Sequence, residues 1–221
     1  MNALLSADRL TKYYGSFPAL RNVSFTVSPG QCLALLGRNG AGKTTLLKLL
    51  GGLSKPTEGT LATQARISLL GHGIGVYDEL SARQNLHFFA AFSSVPLAVD
   101  AWLERVHLLH VADAPLREYS RGMRQRLALA RAFMGEPNLL LLDEPFTSLD
   151  DKATALLQSL LEEALARGAA ILLSTHQIPE AMSLATDILF LERGRLVFSG
   201  ARPPEMLDDP TWLYRNHGAA S

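Results

Sequence analysis

Residues 37–44 read Gly37-Arg38-Asn39-Gly40-Ala41-Gly42-Lys43-Thr44, and this stretch decides the fold. The apolar run Cys32-Leu33-Ala34-Leu35-Leu36 precedes it, and a helical pattern begins at Thr45. A buried strand, a glycine loop and a helix in this order make the G-x-x-x-x-G-K-[ST] pattern a phosphate-binding loop. Its backbone N–H groups and the N-terminal end of the helix favour an anion. The segment therefore predicts a nucleoside triphosphate site, with Lys43 at the β- and γ-phosphates and the Thr44 hydroxyl at Mg²⁺.

Composition narrows the class of partner and the compartment. The 221 residues include 21 Lys+Arg and 21 Asp+Glu, so no overall basic field would gather nucleic acid, and we expect no nucleic-acid partner. Cys32 is the single cysteine, which excludes an intrachain disulfide and suits a reducing compartment. We expect Cys32 to be a packed core residue. The N-terminus lacks signal-peptide features, and no apolar run approaches the roughly 18–20 residues of a membrane span. These features predict a soluble, cytoplasmic protein unless a partner holds it at a membrane.

Short apolar runs that alternate with helical patterns predict a parallel α/β sheet. The segments near Leu10–Val27 and Gly194–Ser199 predict antiparallel hairpins, with turns at Pro29-Gly30 and Arg193-Gly194. The strand candidates are Ser24–Val27, Cys32–Leu36, Ile67–Leu70, Leu139–Leu142, Ala170–Leu173 and Ile188–Leu191.

No strand pattern is present between His72 and Gly135, and we interpret this block as a helical subdomain inserted into the α/β core. A capping box, Ser81-x-x-Gln84, predicts a helix through Phe92. Two further helices are predicted over Ala101–His110 and about Gly122–Met134. The segment that begins at Pro203-Pro204 predicts a loose tail.

A second chemical signal is the run Leu139-Leu140-Leu141-Leu142-Asp143-Glu144-Pro145. Four leucines predict a buried strand, and two carboxylates follow at its carboxyl end, where α/β sheets place their ligands. Asp143 is predicted to hold Mg²⁺ through water, and Glu144 to polarise an attacking water. The alternative is a solvated acidic turn, which the phosphate-binding loop upstream disfavours.

The chain resembles the nucleotide-binding subunits of ABC transporters from Leu10 to about Gly200. The family's motif order is matched by residues 37–44, Asp143-Glu144-Pro145, Ser148-Leu149-Asp150 and His176. The segment Tyr119–Arg126 resembles the family's signature motif. This resemblance implies an α/β fold with a P-loop NTPase core, a mixed sheet, an antiparallel β subdomain and an inserted helical subdomain. It implies one nucleotide-binding domain over 1–221, with the core at 1–71 and 136–200, the helical subdomain at about 72–135 and a C-terminal tail at about 201–221.

The resemblance also implies a homodimer that forms on ATP binding. Ser120 stands where a helix N-cap belongs, and its hydroxyl and the helix dipole favour an anion. In the family this anion is the γ-phosphate of ATP bound by the opposite subunit. The alternative is that Ser120 is an ordinary helix cap.

Three further positions carry family roles. His176 resembles the histidine that contacts the γ-phosphate, although a histidine at a strand end can be purely structural. Asp150 resembles the aspartate that reaches across the dimer, or it caps the helix that begins near Thr154. Tyr14 resembles the aromatic residue that stacks on adenine; Tyr13 is the rival, and either could be plain packing.

Taken together, the motifs and the resemblance imply ATP and Mg²⁺ as cofactors, with Glu144 and His176 as catalytic residues and Thr44, Asp143 and His72 as metal-associated residues. The residues implied to bind ATP are Tyr14, Gly37, Arg38, Asn39, Gly40, Ala41, Gly42, Lys43, Thr44, Thr45, Ser120, Gly122 and Asp150.

Two positions depart from the family pattern. His72 stands where a glutamine is usual, and its protonation changes near neutral pH. The signature reads Ser-Arg-Gly-Met in place of Ser-Gly-Gly-Gln, so Arg121 either adds positive charge near the γ-phosphate or lies on the surface.

The family resemblance implies an ATP-driven subunit at the inner face of the cell membrane, beneath separate transmembrane subunits. Tyr77 and the Phe88-Phe89 pair are candidates to line the docking groove, or they are core residues. Gly71-His72, Gln84–Phe88, Phe146-Thr147 and Gln177 resemble the ATP-binding subunits of the haem exporters of cytochrome c maturation. Alternatives are another small exporter of the ABC-2 type, a soluble ABC ATPase that acts on DNA or ribosomes, and a regulator that has lost hydrolysis.

Overall fold

The computed structural model describes residues 3–71, 75–92, 98–147, 149–175, 178–207, 209 and 211–218. The strands in these ranges are β1 (Leu5–Tyr14), β2 (Phe17–Val27), β3 (Cys32–Leu36), β4 (Glu58–Thr63), β5 (Ile67–Leu70), β6 (Leu139–Asp143), β7 (Ala170–Ser174), β8 (Asp187–Glu192) and β9 (Arg195–Ala201). The α-helices are α1 (Lys43–Leu50), α2 (Ala82–Ala90), α3 (Val99–Arg105), α4 (Arg121–Phe133), α5 (Asp151–Ala166), α6 (Ile178–Leu184) and α7 (Trp212–His217).

The main sheet has the order β5-β6-β7-β3-β8-β9, in which the first five strands are parallel and β9 is antiparallel to β8. Successive side chains of a strand point to opposite faces. In β3, Ala34 and Leu36 therefore pack in a cluster with residues of α4, α5 and α6, whereas Leu33 and Leu35 pack with α1 and β1. Burial on both faces explains the continuous apolar runs, so the predicted α/β class is confirmed.

An antiparallel sheet of order β2-β1-β4 covers the α1 side of the main sheet. Its first hairpin turns at Gly15-Ser16, and the predicted turn at Pro29-Gly30 instead connects β2 to β3. The predicted turn at Arg193-Gly194 is confirmed: it joins β8 to β9, and both residues have positive φ. Strand β4 has no signal in the sequence, because its side chains are mostly exposed and supply no apolar alternation.

Helices α2, α3 and α4 follow β5 and precede β6 in the chain, and they share an apolar cluster separate from those of the sheet. Ser81 caps α2 through the predicted capping box with Gln84. Helix α3 is shorter than the predicted Ala101–His110, because the chain leaves helical geometry at His107, where φ is 57°. Ser120 caps α4 as predicted, by accepting a hydrogen bond from the Met123 N–H at 3.2 Å.

The segment after β9 is ordered around two buried side chains, contrary to the prediction of a loose tail. A 3₁₀ turn covers Pro204–Leu207, and α7 follows it. Met206 and Leu213 are fully buried in the cluster on the α5 side of the main sheet. The two buried residues lie in two separate short elements, so no continuous periodic pattern in the sequence reveals this packing. No helix within the described ranges combines the length and apolarity that crossing a bilayer requires.

Candidate nucleotide-binding site

The loop of residues 37–42 joins β3 to α1, and two of its glycines are required by close backbone approach. A Cβ at Gly37 would stand 2.3 Å from the Leu191 carbonyl oxygen. A Cβ at Gly42 would stand 2.6 Å from the Ala19 carbonyl oxygen. Both residues also have φ between +109° and +150°, which a side chain disfavours. The loop is therefore held against β8 and the start of β2 at its two ends.

Lys43 closes this loop from the first turn of α1. Its Nζ donates hydrogen bonds to the Gly37 carbonyl at 2.7 Å and to the Arg38 carbonyl at 3.4 Å. Gly42, the N-cap of α1, offers no side-chain hydrogen bond, and the first turn contains no acidic residue. The first N–H groups of α1 and the helix dipole are therefore available to an anion.

Asp143, at the end of β6, is the centre of a buried hydrogen-bond network. The Thr44 hydroxyl donates to Asp143 Oδ2 at 2.7 Å, and the Ser174 hydroxyl donates to Asp143 Oδ1 at 2.5 Å. Asp143 is 6% exposed and its bond to Ser174 is buried, so water competes little for that bond, whereas Thr44 is exposed and its bond to Asp143 is only partly buried. This network brings the carboxyl ends of β6 and β7 to the start of α1.

Glu144 leaves the strand in the left-handed region, with φ of 54°. Its N–H donates to both the carbonyl (3.0 Å) and the hydroxyl (3.1 Å) of Ser174. These bonds offset a backbone strain of about 1–3 kcal/mol. The turn places Glu144 among the residues that line the cleft over the loop.

The cleft over the loop has a volume of about 310 Å³, which falls within the range of small-molecule sites. Its lining includes two exposed aromatic residues of the β1–β2 hairpin, Tyr14 and Phe17, and the two carboxylates that follow β6, Asp143 and Glu144. Tyr13 is not in the lining. The lining residues are Tyr14, Phe17, Ala19, Arg38, Asn39, Gly40, Ala41, Gly42, Lys43, Thr44, Thr45, Asp143 and Glu144.

A larger opening of about 570 Å³ lies between the antiparallel sheet and the β8–β9 hairpin. Its lining includes Asp8 and Asp187 and contains no lysine or arginine. Two carboxylates without a cation disfavour a polyphosphate. The smaller cleft, which contains Lys43 and Arg38, therefore suits a polyphosphate better.

Ser120, Gly122 and Asp150 lie together, outside the lining of the nucleotide cleft. Ser120 and Asp150 are exposed, and a Cβ at Gly122 would stand 3.6 Å from Asp150 Oδ2. Asp150 is the N-cap of α5 and accepts a hydrogen bond from the Ala153 N–H at 2.7 Å. Within a single chain, Asp150 therefore acts as a helix cap. Helix α5 begins at Asp151, three residues before the predicted Thr154.

Four residues named from the sequence, His72, Ser148, His176 and Gln177, lie outside the described residues. The sequence did not point to Phe17, in the cleft lining, or to Ser174, which is buried beside Asp143. Phe17 pairs with Tyr14 across the β1–β2 hairpin, and the signal for it was a pair of aromatics around Gly15-Ser16. Ser174 was not recognised from the sequence because it directly continues the apolar run of β7. Its hydroxyl at the carboxyl end of a buried strand was the feature that could have indicated a site residue.

A group of aromatic side chains lies on and beside α2. Tyr77, Phe88 and Phe92 are exposed, and ring centroids lie 5.1 Å apart for Tyr77–Phe88 and 5.3 Å apart for Phe88–Phe92. Phe89 stacks on Tyr77 beneath them, and the guanidinium of Arg131 lies 5.2 Å from the Phe89 centroid. Burial lowers the pKa of Arg131. We call Tyr77, Phe88, Phe89 and Phe92 the aromatic patch.

The fold and the glycine loop define an α/β nucleotide-binding protein, and the comparisons with known proteins give its family. A family model described as "ABC transporter" matches residues 20–147. The chain belongs to the ABC transporter family and is an ATP-binding subunit, in which ATP hydrolysis is coupled to transport.

Three known proteins illustrate the similarity. The Nod factor export ATP-binding protein I of Cupriavidus metallidurans is 38% identical over 225 residues, which cover 94% of this chain and 74% of the relative. A solved ATP-binding subunit of an ABC transporter superposes with a TM-score of 0.85 at 28% identity, covering 98% of this chain and 95% of that one. An ATP-binding cassette, solved as a dimer in a post-hydrolysis state with ADP and Pi, shares the fold with a TM-score of 0.81 at 23% identity, covering 90% and 99%.

Proposed function

We propose that this chain is the ATPase of a small ABC exporter, working as an ATP-bound homodimer beneath separate membrane subunits. The carrying observation is the hydrogen bond between Thr44 and Asp143, which brings the phosphate loop and the two carboxylates together at one cleft. A phosphate cradle beside a carboxylate pair suits phosphoryl transfer to water.

Adenine is proposed to stack on the aromatic residues that line the cleft, Tyr14 and Phe17. Tyr14 and Phe17 are 50% and 63% exposed, so both rings offer a free face. The Lys12 ammonium lies over the Tyr14 ring, 5.3 Å from its centroid, in a cation–π contact. Tyr14 is favoured over Tyr13, because Tyr13 is not among the residues that line the cleft.

Mg²⁺ fits the oxygen-bearing side chains of Thr44 and Asp143. It prefers oxygen ligands and is usually held by one or two carboxylates together with substrate phosphates. Thr44 Oγ1 and Asp143 Oδ2 supply two oxygens 2.7 Å apart, and no group of three acidic, histidine or cysteine side chains suited to a metal is present among the described residues. The ion would neutralise charge on the phosphate oxygens. His72 stays a predicted second contact of the metal site.

Glu144 is proposed to act as the general base. Its carboxylate accepts a proton from water as the water oxygen bonds to the γ-phosphorus and the bond to the bridging oxygen breaks, which leaves ADP and phosphate. Lys43 and the first N–H groups of α1 hold the phosphates during this step. His176 is proposed to contact the γ-phosphate and position the water.

A second copy is proposed to complete the site. Ser120 and Gly122 begin a helix, are absent from the cleft of their own chain, and are accessible at the surface. Their role as γ-phosphate ligands therefore requires the cleft of a partner, with Asp150 beside them. The dimeric state of a cassette with the same fold supports this arrangement.

The aromatic patch is proposed to dock the membrane subunits, which would hold the chain at the inner face of the membrane. Its three exposed rings form a contiguous apolar surface, the kind that marks interaction sites.

The relative named for Nod factor export favours another small exporter over haem export in cytochrome c maturation, which no comparison supports. We propose a cargo of the Nod factor type, loaded from the cytoplasmic side. Inverted membrane vesicles that carry this chain and its membrane subunits would test it. We expect ATP-dependent uptake of Nod factor, none with Glu144→Gln, and no uptake of haem. Haem uptake without Nod factor uptake would restore the haem hypothesis.

A further inference from the structure

A short helix at the C-terminus lies beside the phosphate loop. Leu213 of α7 is fully buried, and Tyr214 packs edge to face on Phe190 of β8, with ring centroids 4.9 Å apart at 78°. These contacts seat α7 over the end of β8.

The neighbouring partner of Tyr214 is Arg38, the second residue of the loop. The guanidinium carbon of Arg38 lies 6.0 Å from the Tyr214 ring centroid, within the range of a cation–π contact. The Arg38 carbonyl accepts hydrogen bonds from the Ala41 N–H at 3.0 Å and from Lys43 Nζ at 3.4 Å. The side chain of Arg38 therefore contacts α7, while its carbonyl accepts the hydrogen bonds that hold the phosphate loop in shape.

Strand β8 supports both partners. The Leu191 carbonyl oxygen leaves no room for a Cβ at Gly37. The adjacent residue, Phe190, contacts the ring of Tyr214. Burial raises the pKa of Tyr214, the Arg38 charge opposes this rise, and the Glu192 carboxylate adds to it. The phenol therefore stays neutral near pH 7, and its ring offers an electron-rich face to the cation.

We propose that Tyr214 is a positioning residue for the phosphate loop: its ring holds the guanidinium of Arg38 and thereby fixes the loop in the form that receives the phosphates. Ordering the loop before the ligand arrives lowers the cost of binding. This inference rests on the nucleotide site proposed above.

Affinity for a fluorescent ATP analogue with Mg²⁺, measured by titration, tests the inference. Tyr214→Leu removes the ring, and we expect about threefold to tenfold weaker binding. Tyr214→Phe keeps the ring and should bind as the parent does. Trp212→Leu is the matched control, because it removes another ring of α7, one that contacts His217.

The pairwise contact is isolated by combining Tyr214→Leu with Arg38→Met. Arg38 also lines the cleft, so Arg38→Met carries a loss of its own, but Tyr214→Leu should add almost no further loss in the Arg38→Met background because the contact is already gone there. Additive losses, or an equal loss in Trp212→Leu, would overturn the inference. If Tyr214→Leu does not fold, Tyr214→Met takes its place in the same cycle.

Lys43→Ala separates the two proposals. We expect it to abolish binding of the analogue. Binding retained in Lys43→Ala would overturn the nucleotide site, whereas binding lost in Lys43→Ala but unchanged in Tyr214→Leu would overturn the role of Tyr214 alone.

Discussion

The hydroxyl of Thr44 donates a 2.7 Å hydrogen bond to Oδ2 of Asp143, a residue 99 positions further along the chain. The bond fixes the start of α1 against the end of β6. Both side chains are proposed to hold the nucleotide's Mg²⁺, Asp143 through water, so the chain places these two groups side by side before the nucleotide arrives. Such placement reduces the reorganisation that accompanies binding.

Asp143→Asn is expected to lower ATP turnover about 100-fold or more, because the amide cannot replace the negative charge at Mg²⁺. Its similar shape should limit the loss of unfolding free energy to about 1–3 kcal/mol. Turnover measured against Mg²⁺ concentration checks the charge effect. Ser174→Ala, which removes only a neighbouring hydroxyl of the same network, is the control. An unchanged response to Mg²⁺ in Asp143→Asn would remove Asp143 from the metal site.

Glu144→Gln is expected to abolish turnover, with a loss of about 10²–10⁴, and to trap an ATP-bound dimer, because the amide cannot accept the proton from water. Phosphate release measures the turnover, and analytical ultracentrifugation with ATP measures the dimer. Hydrolysis at the parent rate would show that Glu144 is not the general base.

Gly42→Ala is expected to destabilise the fold by about 2–4 kcal/mol. The backbone has a positive φ that alanine disfavours, and the new Cβ would clash with the Ala19 carbonyl oxygen. Gly40→Ala is the matched control, because Gly40 also has positive φ but open space around it, and about 1 kcal/mol is expected there. Urea unfolding measures both. Equal losses would contradict the proposed contact between the loop and β2.

Cys32 should make stability fall at alkaline pH. Burial, with a smaller contribution from Asp187, raises the pKa of its thiol to about 12, from 9.0. The unfolded chain therefore releases this proton first, and the stabilisation is present below pH 9 and is lost as pH rises towards 12. Between pH 8 and pH 10.5 the parent should lose about 1–2 kcal/mol more unfolding free energy than Cys32→Ala. Parallel losses in both proteins would contradict the buried-thiol effect.

Local signals predicted much of the fold and the site, because they depend on neighbouring residues. Ser81 with Gln84 and Ser120 at α4 are caps that need no tertiary information, and both are confirmed. Strand β4 was missed because its partner β1 lies far along the chain and its side chains gain little burial.

Other features depend on how distant segments meet. Tyr14 and Tyr13 are adjacent in sequence, so only the position of the β1–β2 hairpin over the loop distinguishes them. The contact between Tyr214 and Arg38 joins a C-terminal helix to a loop near the N-terminus, and no pattern within either segment indicates it.

The proposed ATP site is shared between two copies of the chain, and a mixture of two inactive variants tests this sharing most directly. Ser120→Arg damages the signature, Lys43→Ala damages the loop, and each alone should be inactive. In an equal mixture, about half of randomly paired dimers hold one intact loop opposite one intact signature, so ATP turnover should recover to at most about one quarter of the parent rate. A mixture that stays inactive, or a Ser120→Arg protein that hydrolyses ATP at the parent rate, would contradict the shared site.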